Sequence, residues 1–80
     1  MTVKELKELL DAIPDDTRVV VYGYEGGYND ISEVVIKDIY LNVNSAWYYG
    51  QHDDEDKYHE GREKVKALYL GGKNELDEDR

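Results

Sequence analysis

Apolar residues recur at helical spacing at the start of the chain. Val3, Leu6, Leu10 and Ile13, with Leu9 beside them, form one stripe, while Lys4, Lys7, Glu8 and Asp11 lie off it. Thr2 and Glu5 stand where a capping box needs its hydroxyl and its carboxylate. A helix is therefore predicted from Val3, ending before Pro14, because the residue ahead of a proline is biased away from helical angles. Pro14-Asp15-Asp16 reads as a turn. The pattern then changes. Arg18 to Tyr22 is β-branched and nearly continuous, which predicts a central strand covered on both faces.

Three glycines interrupt the pattern in Gly23-Tyr24-Glu25-Gly26-Gly27-Tyr28-Asn29-Asp30. From Ile31 to Val43 the chain is rich in β-formers. Val35, Ile39, Leu41 and Val43 take one parity, and Val34, Ile36 and Tyr40 take the other. Lys37-Asp38 in the middle predicts a bulge or a break into two strands. Ala46 to Tyr49 reads as a short strand ending at Gly50, and Lys64 to Leu70 as the last strand, stopped by Gly71-Gly72. One helix followed by three to five strands with short connections predicts an α+β domain, the helix packed on a small antiparallel sheet. The expected organisation is a single domain over residues 1–72 with a flexible acidic tail at 73–80.

Composition narrows the function classes. Nineteen acidic side chains stand against 10 basic ones, giving a net charge of −9. The imbalance is spread along the chain, −5 over residues 1–40 and −4 over residues 41–80. No basic stripe is available to neutralise phosphates, so direct nucleic-acid binding is not expected. Cysteine is absent, which excludes disulfides, thiolate metal sites and cysteine nucleophiles. No apolar run approaches the ~20 residues of a membrane span, and the amphipathic start with Glu5 and Glu8 is unlike a signal peptide. The expected address is the cytoplasm of a bacterial host. Eight tyrosines and one tryptophan, with no phenylalanine, indicate rings whose polar ends are in use.

Two motifs could hold a ligand. In the first, glycines allow close backbone approach while Tyr24, Glu25, Gly26, Gly27 and Tyr28 surround a bound group; the bland alternative is a glycine-rich hairpin. In the second, Trp47 and Tyr49 share a face, and Gly50 lets Gln51 and His52 turn back toward it. Stacking rings beside an amide and an imidazole suit a planar ligand, although for Trp47 alone the favoured reading is that it fills a small core under the helix. A third feature, the acidic run Asp53, Asp54, Glu55 and Asp56 between His52 and His59, fits no established zinc or calcium spacing. No metal and no cofactor are expected. Ser32 and Ser45 are the only serines, and neither sits in a nucleophile elbow, so no enzyme is expected.

The residues also resemble a group of small bacterial and phage proteins. The resemblance runs from Thr2-Val3-Lys4-Glu5-Leu6 through Pro14-Asp15-Asp16, then Gly23, Tyr24, Glu25, Gly27 and Asp30. It continues through Trp47, Tyr48, Gly50 and His52 to the strand at Ala67–Leu70, covering about residues 2–70. It implies a cytosolic, often phage-borne protein whose site lies in the two motifs, and no reaction. Size and charge resemble two counter-defence classes. One is a sponge that sequesters a nucleotide-like immune signal, here at Tyr24–Tyr28 and Trp47–His52. The other is an anti-CRISPR type of acidic mimic that binds a basic host defence protein through Asp15, Asp16 and Asp53–Asp56. A structural accessory protein, self-associating through its tyrosines, is a third reading, and a homodimer is compatible with a small sheet that has edges to protect.

Overall fold

The computed structural model describes residues 1–57 and 59–74. Residues 75–80, most of the expected tail, lie outside the described residues. The chain is α+β, with one helix and two antiparallel sheets of two and three strands. The described residues divide into two compact units, Met1–Glu33 with residues 70–74, and Val34–Tyr69.

In the first unit α1 spans Val3–Leu10. Its start follows the capping rule: the Thr2 hydroxyl accepts from the Glu5 amide at 3.2 Å, and Glu5 accepts from the Thr2 amide at 2.7 Å. Those bonds, with the nearby N-terminal charge, hold the Glu5 carboxyl below its ordinary value. Regular helix stops earlier than the Pro14 rule requires. Bonds from Ala12 to Leu9 and from Ile13 to Leu10 tighten the last turn to three-residue spacing. No helix residue is buried, and Val3, Leu9 and Leu10 stay about half exposed, so the sheet does not cover the stripe.

Strand β1, Val20–Tyr22, pairs with β2, Tyr28–Asp30, in the register Val20–Asp30, Val21–Asn29 and Tyr22–Tyr28. The expected central strand is thus a three-residue edge, with only Val21 half-buried. An unbroken apolar run marks a strand enclosed on both faces, and equally one that leaves apolar surface bare. Here it is the second case. Arg18 closes the strand end with a two-pronged bond to Asp30, both distances 2.7 Å.

The other sheet, largely in the second unit, has the order β4-β3-β5, with β3 at Glu33–Tyr40, β4 at Asp53–Asp54 and β5 at Lys64–Gly71. β3 runs unbroken through Lys37-Asp38. These residues mark cross-strand pairing rather than a bulge: Lys37 meets Asp54 of β4 at 2.8 Å, and Asp38 meets Lys66 of β5 at 3.4 Å. Burial along β3 follows position, not parity. Val34, Val35 and Ile36 are exposed, whereas Ile39 is half-buried and Tyr40 is the one buried apolar side chain among the described residues. β4 pairs with this end of the strand, at Ile39 and Tyr40.

Acid titration tests these contacts. Hydrogen bonding from Arg18 holds the Asp30 carboxyl below its ordinary value. Burial pulls Asp53 upward, but the Asp54 amide and the His59, Lys57 and Asn44 side chains outweigh it and hold Asp53 low as well. Both groups bind a proton less readily folded than unfolded, so their stabilisation is complete above the ordinary carboxylate range. It is lost as pH falls through the lowered values. Stability by denaturant titration should therefore decline below about pH 4. Asp30→Asn should be less stable at neutral pH and should flatten part of that decline; an unchanged acid profile would contradict the assignment.

Candidate functional site

The loop Asn42–His52 joins β3 to β4, and its own polar groups close it. Asn42 takes a left-handed backbone, φ 54°, which an asparagine tolerates better than most residues. From there its amide donates to His52 Nδ1 at 3.0 Å. The Val43 and Asn44 amides both donate to the Gln51 carbonyl, at 3.0 and 3.1 Å. The Asn44 side chain donates to the Gly50 carbonyl at 2.9 Å, and Gln51 Nε2 donates to the Asn42 side-chain oxygen.

Inside this closure the chain turns back on itself through Tyr49 N to Ala46 O, 3.1 Å. The expected strand at Ala46–Tyr49 is that turn. Its residues have no neighbouring strand, and the local bond satisfies the backbone instead. Trp47, Tyr48 and Tyr49 project from the tip with exposures of 93%, 72% and 54%. Their rings touch in sequence, Trp47 edge-on to Tyr48 at 5.5 Å and Tyr48 to Tyr49 at 6.1 Å. Trp47 therefore does not fill a core. Gln51 and His52, expected to read a ligand's polar edges, hold the base of the loop. Asn42 and Asn44, which organise it, lie outside the expected site residues. Their signal was the Asn-x-Asn spacing ahead of an aromatic run, where asparagine side chains often substitute for backbone partners.

The glycine-rich motif lies in the first unit and forms the β1–β2 hairpin loop, closed by Gly23 N to Gly27 O at 2.9 Å. Its glycines have backbone work. Gly26 and Gly27 take positive φ, 141° and 69°, and a side chain on Gly23 would meet the Gly26 carbonyl at 2.6 Å. Glu25 also turns left-handed, φ 61°. Tyr28 packs across the strands on Tyr22 at 5.7 Å, leaving Tyr24 the exposed ring of the loop itself. Beside β2 lies a depression of about 490 Å³ lined by Arg18, Tyr28, Asn29, Asp30 and Lys73 among others. Arg18 engages Asp30 through Nε and Nη2, which removes two of its donors from any bound anion.

Three of the four acids in the run, Asp53, Asp54 and Glu55, have basic partners elsewhere in the chain. Asp53 lies 3.4 Å from His59, Asp54 pairs with Lys37, and Glu55 lies 3.9 Å from Lys64. Asp15 and Asp16 are exposed on their turn in the first unit. Among the described residues, no group of three or more His, Asp or Glu gathers in a metal-binding arrangement. Among the described residues, no helix is long and apolar enough to cross a membrane. The chain matches no protein-family model, no curated protein and no solved structure, so the reading of the site stands on its geometry.

Proposed function

We propose that this protein is a non-enzymatic interaction module whose Trp47-Tyr48-Tyr49 tip docks into a cleft on a protein partner. The observation that carries this reading is three contiguous aromatic side chains, standing in water on a loop closed by its own hydrogen bonds. Trp and Tyr dominate binding hot spots because each buries a large rigid area at small entropic cost. A loop already in its bound shape loses little further freedom on docking. A phosphate-bearing ligand is less well served, because residues 42–52 include no lysine or arginine and Gln51 and His52 are engaged.

The test replaces Tyr48 with a photo-crosslinking phenylalanine analogue and compares adducts in lysate from the source cell with and without Trp47→Ala. One discrete protein adduct is expected. Trp47→Ala should weaken its binding by ~30-fold or more, the loss of a ~2 kcal/mol anchor. Binding should persist at high salt, because the contact is apolar. Binding that vanishes with salt and with charge reversal of residues 53–56 would return the protein to the acidic-mimic reading. A thermal shift with one nucleotide, abolished by Trp47→Ala, would return it to the sponge reading.

A further inference from the structure

The two edges of the β1–β2 sheet are treated differently. Along β2 the returning chain lies close: Gly71 accepts from the Ser32 amide at 2.8 Å, and a side chain on Gly72 would overlap the Asp30 carbonyl. Along β1 nothing among the described residues does the same. The bond from Gly23 to Gly27 fixes the alternation, so Val21 faces Asn29 as the hydrogen-bonded pair. The amides and carbonyls of Val20 and Tyr22 therefore point away from β2, and none of them bonds another described residue.

We infer that this edge pairs with the same edge of a second copy of the chain, joining two hairpins into a four-stranded antiparallel sheet across a two-fold axis. A second copy fits because the edge is complementary to itself. With Val21 on the axis, Val20 lies opposite the partner's Tyr22 and Arg18 opposite the partner's Tyr24. Val21 then faces its own counterpart. In a chain of charge −9 this pairing brings no like charges together. The edge also lacks the features that keep strand edges apart, since Val19 to Tyr22 include no lysine, no proline and no other charge. A two-stranded hairpin alone is marginal in water, and a third and fourth strand remedy that. Next to the edge lies an apolar groove of about 480 Å³, lined by Leu10, Ile13, Pro14, Val19 and Val20 among others, which extends the contact beyond the short strand.

Sedimentation of the isolated chain over a range of concentrations tests the inference, and a dimer is expected. Val20→Pro removes an outward donor that has no partner within the described chain, so it should weaken dimerisation at least ~10-fold while leaving β1–β2 bonds in place. Val21→Cys puts the chain's sole thiol on the axis, at a non-hydrogen-bonded pair with Cα atoms about 4.5 Å apart. That is within disulfide range, and oxidation should give a covalent dimer even if the proline variant fails to fold. Trp47→Ala should leave the dimer intact, which separates this contact from the proposed loop-tip site. A monomer at every concentration would overturn the inference. So would a dimer that Trp47→Ala abolishes, or one that Val20→Pro leaves unchanged and Val21→Cys does not link.

Discussion

Tyr40→Ala is expected to destabilise the three-stranded sheet more than any other single truncation in it. Tyr40 is the one buried apolar side chain among the described residues, 9% exposed, with the His59 ring edge-on at 5.5 Å and the Lys64 ammonium above it at 5.9 Å. Removing a buried aromatic ring costs about 3–5 kcal/mol. A chain of 80 residues has only about 4–12 kcal/mol of stability in total. The variant should lose most of its cooperative unfolding transition by circular dichroism. Tyr40→Phe should stay within about 1.5 kcal/mol, because it conserves the ring. Equal losses from both would contradict a packing role and point to the hydroxyl.

Gly72→Ala tests the first unit in the opposite way, by adding an atom. A methyl group there would overlap the Asp30 carbonyl and lie 3.0 Å from both the Asn29 Cβ and a Val21 methyl. The main obstruction is backbone, which cannot rotate aside, so overpacking should cost about 3 kcal/mol. Gly50→Ala meets nothing within 4 Å and serves as the matched control. The two variants should differ clearly in urea midpoint. Equal midpoints would mean that the chain at Gly72 does not run against β2.

Local rules made the helix start and the last strand readable. Thr2 and Glu5 form a contact three residues apart, and the glycines answer a turn that their own neighbours define. What the pattern could not show was how much of the apolar surface would be covered. Val19–Tyr22 reads alike whether a strand is enclosed or left at an edge, and the difference lies in which segments pair beside it. Lys37-Asp38 looked like an interruption because its ion-pair partners, Asp54 and Lys66, are distant in sequence. The second motif is a closed loop rather than a strand, and its residues divide between display and support. Trp47 and Tyr49 are displayed, whereas His52 and Gln51 hold the loop through Asn42, a contact across about ten residues that periodicity does not encode.

Trp47 is the only tryptophan, so its fluorescence reports the loop tip alone. The most direct measurement is its emission and acrylamide quenching in the dilute isolated chain. An indole 93% exposed should emit where free tryptophan does in water and quench without a protected fraction. A blue-shifted, quencher-resistant signal from the folded chain would place Trp47 inside the protein and remove the basis for a displayed binding tip.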